Sequence, residues 1–207
     1  FNKDDAYRIG FWLPGLLKTK KVLVGYDARV SSPEIREHLI KGILDSGSDV
    51  YDAGISTTPL IYFGTANFEF EASVMITASH NPAHYNGMKI SRANAMPVGY
   101  DSGLAELEKM IEQPITKAEK QGLLHSLDVK TPYLQFLKKY VVDWDGLNMA
   151  IDCSNGVAAL FAREIFGDTP TYIYEEIDGT FPNHEPNPLI EENVTDLKQK
   201  VLEQKAD

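Results

Sequence analysis

Two short apolar runs with a single helical stretch between them constrain this chain more than any other feature. Lys21-Val22-Leu23-Val24-Gly25-Tyr26 reads as a strand, and Asp49-Val50-Tyr51-Asp52-Ala53 reads as a second. Between them Ser31 and Glu34 stand at capping-box spacing, with Pro33 in the first turn, and predict a helix up to about Gly47. Strand, helix, strand in that order is a βαβ unit, which requires parallel pairing with the helix laid on one face of the sheet. Asp27-Ala28-Arg29 falls at the exit of the first strand, where α/β proteins place ligand-binding groups. Two roles stay open for Arg29 here: an ion pair with Asp27, or a contact to a phosphate.

The chain is long enough, at 207 residues with 43% hydrophobic, to bury a core in one large domain or two small ones. Its 20 basic and 30 acidic residues give 20 − 30 = −10, a poor balance for wrapping nucleic acid. No apolar run approaches the roughly 20 residues needed to cross a bilayer, and no basic-then-apolar leader opens the chain. The one cysteine, Cys153, has no internal disulfide partner, which fits a reducing cytoplasm. A cytoplasmic protein without a nucleic-acid or membrane partner is therefore expected.

The densest chemistry lies at Thr77-Ala78-Ser79-His80-Asn81-Pro82-Ala83-His84-Tyr85-Asn86-Gly87-Met88-Lys89. The preceding run, Ala72-Ser73-Val74-Met75-Ile76, has the length and polar boundaries of a buried strand, so Ser79 sits where the backbone turns out of the sheet. Pro82 biases Asn81 away from helix. Asn86-Gly87 is a turn dipeptide, and Met88-Lys89-Ile90 reads as the returning strand that carries Lys89 back. A serine hydroxyl is a weak nucleophile that needs an activated site. A capping serine is the plain alternative, and what favours chemistry is one loop holding a hydroxyl, two imidazoles and an ammonium. Arg92, taken to share the side of Lys89 on a continuing strand, is either a second phosphate contact or a surface charge.

This loop resembles the phosphoserine loop of the α-D-phosphohexomutases, bacterial phosphomannomutases and phosphoglucomutase/phosphomannomutases above all. The likeness rests on Thr77 to Pro82 followed by Tyr85-Asn86-Gly87 and Lys89. It extends over the whole chain through Gly25-Tyr26-Asp27-Ala28-Arg29, Asp152-Cys153-Ser154-Asn155-Gly156-Val157-Ala158, and Asp178 through Pro186. The resemblance implies two three-layer α/β/α domains with mixed, mostly parallel sheets, at 1–127 and 128–207, as the first two of four. It implies a mutase moving a phosphoryl group between the 1- and 6-oxygens of mannose or glucose by way of phospho-Ser79. Lys89 and His80 would serve as catalytic groups, Arg29, Asn81 and Arg92 as phosphate contacts, and Mg²⁺ would bind Ser79 through its phosphate. Hexose phosphate is the implied substrate and hexose 1,6-bisphosphate the activator. The family's arginine before the first helix, its aspartate-rich metal loop and its sugar-reading domains have no counterpart in these residues, so these 207 residues alone are expected to be inactive.

Two other readings carry tests of their own. A non-catalytic protein binding phosphosugars or a partner could use the same fold. A serine hydrolase using Ser79 and His80 is disfavoured because adjacent residues near a strand project to opposite sides. Further along, Asn148 to Asp152 and Thr171 to Tyr174 read as strands, with helices over Tyr133 to Val141, Val157 to Phe166 and about Glu192 to Gln204. The proline-rich loop Ile177 to Leu189 either lines the cleft or packs between domains.

Overall fold

A computed structural model describes residues 2–144 and 146–207. Helix α1, Lys3–Leu17, opens on Asn2, whose Oδ1 accepts from the backbone N–H of Asp4 and Asp5 while the Asp5 carboxylate takes the N–H of Asn2. Strand β1 spans Lys21–Tyr26, helix α2 Ser32–Asp45 and strand β2 Asp49–Ile55, so the expected βαβ unit forms with β1 and β2 parallel. The expected capping box does not. Ser31 is itself near helical conformation with no side-chain cap, and its Oγ accepts from Asn86 Nδ2 at 2.9 Å. A loop 55 residues away took the hydroxyl that local spacing assigned to the helix.

Helix α3, Thr58–Asn67, is capped by Thr57 and leads to β3, Ala72–Ile76, which lies parallel to β1 on the side away from β2. Strand β4, Met88–Arg92, returns antiparallel to β3, and the two-residue β5, Met96–Pro97, continues outward. After helix α4, Ala105–Ile111, and a connector, β6 at Leu124–Ser126 adds a parallel strand beside β2. The sheet order is β5-β4-β3-β1-β2-β6.

Period-two alternation sorts this sheet into two faces. Val22, Val24, Val50, Val74 and Ile76 point into a core with Leu13, Leu39 and Ile43 from α1 and α2. Leu23 and Met75 point the other way, onto Leu60 and Ile61 of α3. Helices cover both faces, giving the mixed α/β, mostly parallel architecture. The α1–α2 crossing is unusually close: a Cβ on Gly10 would stand 2.2 Å from the Leu39 carbonyl oxygen, and one on Gly42 2.0 Å from that of Tyr7.

The remaining residues build a smaller unit. Helix α5 spans Lys130–Lys138, strand β7 Ala150–Asp152, helix α6 Ala159–Phe166, strand β8 Thr171–Ile173 and helix α7 Thr195–Gln204. Strands β7 and β8 pair in parallel as a two-stranded sheet. Val129, Tyr133 and Phe161 join the same apolar cluster as Leu23 and Leu60, so the small unit packs on the α3 face of the large sheet.

Candidate active site

Strands β1, β2 and β3 are parallel and end on one edge, and each chain exit there is tied to its neighbour. Asp27 N–H donates to the Ile76 carbonyl at 3.0 Å and Ser56 N–H to the Tyr26 carbonyl at 2.8 Å. The loop from Thr77 to Gly87 rises from this edge and closes on itself through the N–H of Thr77 and the carbonyl of Gly87 at 3.0 Å.

Ser79 holds a left-handed backbone, φ +57°. That region is uncommon for a residue with a Cβ and costs on the order of 1 kcal/mol. Its N–H is satisfied by Thr77 Oγ1 at 3.0 Å, and its side chain is left exposed at the crest. Ser79, His80 and Lys89 line one cavity of about 700 Å³ together with Asp27, Thr57, Thr58 and, from the small unit, Asp152, Phe181 and Pro186. Lys89 reaches it because it pairs with Met75, placing both on the α3 face of the sheet. Among the described residues its ammonium makes no ion pair or hydrogen bond, so it faces the cavity as a free cation.

Arg92 and Arg29 depart from the expected phosphate contacts. Arg92 is three residues beyond Lys89, not two, and so faces the opposite side of β4. It pairs with Ala72 at the end of the strand remote from Ser79, and its guanidinium donates to the Ser102 carbonyl. Arg29 forms the ion pair with Asp27: Nε to Oδ2 at 3.1 Å, with a fully buried side chain. Its Nη1 donates to the carbonyls of Pro82 at 2.7 Å and Tyr85 at 3.2 Å. Its Nη2 donates to those of Ser79 at 2.9 Å and Asn81 at 2.7 Å. Five contacts use all five guanidinium N–H groups, so none remains for a ligand. Asn81 has an exposed side chain and does not line the cavity, and its backbone is what is engaged, the carbonyl by Arg29 and the N–H by the Ala78 carbonyl. His84 is exposed and its ring lies tilted against that of Tyr85, the centroids 4.4 Å apart.

Sequence reasoning missed the supports of this loop. Asp27 also accepts from Ser32 Oγ at 2.7 Å, and Asn86 Nδ2 bridges Ser31 and Ser32 at 2.9 Å each. The only sequence signal was the Asp-x-Arg at the exit of β1. The proline-rich loop does both things weighed for it. Phe181 and Pro186 line the cavity, while Gly179 bridges to Arg29 and Phe181 lies over the Arg29 guanidinium, 5.3 Å to the ring centroid. His184 fastens this loop, its ring nitrogens 2.8 Å from Asp152 Oδ2 and 2.9 Å from the Glu185 carbonyl. Burial pulls the imidazole down, but those two acceptors outweigh it and hold its pKa above the ordinary value. A raised value means the tie contributes fully below about pH 6.5 and fades as pH climbs through the folded pKa.

For a metal ion the described residues offer no cage: no group of three or more His, Cys, Asp or Glu side chains converges on one point. Asp27 lines the same cavity as Ser79, and both of its oxygens are already engaged by Arg29 and Ser32. Among the described residues no helix is long and apolar enough to cross a membrane.

Residues 1–121 match the family described as phosphoglucomutase/phosphomannomutase, alpha/beta/alpha domain I, and residues 131–207 match its alpha/beta/alpha domain II. A phosphomannomutase of Escherichia coli is 36% identical over 221 residues, covering all of this chain and 48% of the relative. A phosphoglucomutase of Neisseria gonorrhoeae is 36% identical over 201 residues, covering 94% of this chain and 43% of its own length. The crystal structure of a phosphoglucomutase/phosphomannomutase family protein from Burkholderia thailandensis superposes with a TM-score of 0.88 at 28% identity, over all of this chain and 48% of that one. The chain spans about half the length of the curated relatives it matches. With the sheet, the Ser79 loop and both family matches in agreement over nearly every residue, this chain belongs to the phosphoglucomutase/phosphomannomutase family of isomerases.

Proposed function

We propose that Ser79 is the phosphoryl carrier of a hexose phosphate mutase, acting on mannose or glucose phosphates in a protein where the remaining length of the relatives accompanies these residues. The carrying observation is the exposed Ser79 hydroxyl on a left-handed turn, sharing one cavity with an ammonium that has no partner among the described residues. Phosphoryl transfer is mainly positioning and charge neutralisation, so a held oxygen and a free cation are the parts it needs.

In the forward step the Ser79 Oγ–P bond breaks as a bond forms from phosphorus to the free hydroxyl oxygen of a hexose monophosphate, whose proton leaves to a base. Ser79 Oγ takes up a proton, and a hexose 1,6-bisphosphate results. Reorientation of the sugar presents its other phosphate, and the same exchange runs in reverse. Lys89 neutralises charge on the moving phosphoryl oxygens, and it or His80, both lining the cavity with Ser79, supplies and receives the protons. Thr57 and Thr58 bring the N-terminus of α3 to the same cavity, where its partial positive charge favours an anion. Mg²⁺, if bound, would neutralise a phosphoryl oxygen on Ser79, with its carboxylate ligands coming from outside the described residues. Replacing Ser79 with Ala in the full-length protein is expected to abolish interconversion of 1- and 6-phosphates in a coupled assay. Retention of the full rate would end this reading.

A further inference from the structure

Arg29 is 1% exposed in a chain that otherwise keeps its arginines at least partly in water. A buried cation is costly unless every donor is met, and here every one is, four of them by main-chain oxygens of a single irregular loop. The guanidinium is a rigid planar fork, so meeting four carbonyls at once fixes where residues 79, 81, 82 and 85 lie relative to one another. One of those carbonyls belongs to Ser79 itself, whose backbone sits in a conformation that needs outside support.

The other side of the fork is closed by the small unit. Gly179 bridges to Arg29 so closely that a Cβ there would stand 1.9 Å from the Ala28 carbonyl oxygen, and the Phe181 ring covers the guanidinium face. Asp27 fixes the fork from beneath, and Asn86 pins the far end of the loop to Ser31 and Ser32. We propose that Arg29 is a positioning residue for phosphoryl transfer at Ser79, and that Phe181 is its cover, so that the Ser79 turn keeps its working shape only while the 178–181 loop is docked on it. With no N–H left over, Arg29 acts through the loop and never touches the sugar phosphate. This rests on Ser79 being the carrier, and the test separates the two claims.

The test uses the full-length protein with Arg29→Lys, Phe181→Ala, and the paired Arg29→Met/Asp27→Asn change, which removes the buried charge together with its partner. Lysine keeps the charge but offers three donors around a point, too few for four carbonyls and a carboxylate. Misplacing a reacting group by about 1 Å costs on the order of 100-fold, so Arg29→Lys and the paired variant are expected to lower kcat by roughly that factor with KM within about threefold. Phe181→Ala is expected to lower kcat by about fivefold, the scale of one lost cation–π contact. Amide hydrogen exchange should rise over residues 78–86 in all three variants while β1 and β3 stay protected. Unchanged exchange and kcat in Arg29→Lys would overturn the proposal, as would a loss confined to KM, which marks a direct phosphate ligand. If both Arg29 variants fail to fold, Phe181→Ala decides alone: wild-type exchange and rate in it would refute the cover and with it the proposal. If the wild-type protein takes no phosphate on Ser79, the carrier reading fails, whereas exchange over 78–86 still decides whether Arg29 shapes the loop.

Discussion

At Lys89 strand register sets what the side chain does. Pairing with Met75 turns its ammonium toward the cavity, and three residues later the same alternation turns Arg92 away. Because Lys89 has no partner among the described residues, its removal should cost little stability and much chemistry. Lys89→Met is expected to leave the unfolding free energy within about 0.5 kcal/mol of wild type, while phosphate uptake on Ser79 slows on the order of 100-fold. Parallel denaturation and rate measurements check both halves. Asp45 is the opposite case, a buried carboxylate whose purpose is structural. It accepts from Tyr7 Oη at 2.9 Å, Lys41 Nζ at 2.8 Å and Gln121 Nε2, and pairs with Lys117 at 2.9 Å. Burial pushes its pKa up, but the two lysines and the tyrosine outweigh that and hold it well below the usual carboxylate range. A depressed folded value means this stabilisation is present above about pH 4 and is lost as pH falls toward the folded pKa. Asp45→Ala should therefore cost roughly 2 kcal/mol in urea denaturation at pH 7, with the gap to wild type narrowing in acid. A gap that does not change with pH would contradict the linkage.

At the scale of elements, what was legible in the sequence was whatever one element decides by itself. The run Ala72 to Ile76 is apolar but for Ser73 and became β3, buried throughout, and Thr57 with Pro59 opened α3 as their chemistry requires. Strand β6 left no such trace, because Leu124–Ser126 is three residues whose only reason to extend is the open edge of β2. The Ser31 capping box failed for the same kind of reason: Asn86, distant in sequence, competed for the hydroxyl and won. In the candidate site, Ser79, His80 and Lys89 were readable because loop chemistry is local, whereas the role of Arg29 depends on four carbonyls beyond any sequence pattern. The α1–α2 crossing offers a test at this scale. Gly42 is helical and ordinary in conformation, and what requires it is the Tyr7 carbonyl 2.0 Å from where a Cβ would sit. Gly42→Ala, favourable for an isolated helix, is expected to destabilise the protein by about 2 kcal/mol through overpacking. A stabilised protein in thermal melts would mean the helices separate freely.

At the scale of the molecule, the cavity belongs to neither unit alone. The large sheet supplies Ser79, His80 and Lys89, and the small unit supplies Asp152, Phe181 and Pro186. Their shared apolar cluster, from Leu23 through Tyr133 to Phe161, holds the two against each other, and the Gly179–Arg29 bridge ties that packing to the loop bearing Ser79. The net charge of −10 is no obstacle to an anionic substrate, because a phosphate responds to the local field of Lys89 and the α3 terminus rather than to the whole surface. The central claim is that Ser79 carries the phosphoryl group. Incubating the full-length protein with a hexose 1,6-bisphosphate, then mapping peptides by mass, tests it most directly: one phosphate on the peptide bearing Ser79 is the predicted result, and phosphate on any other residue, or on none, would contradict it.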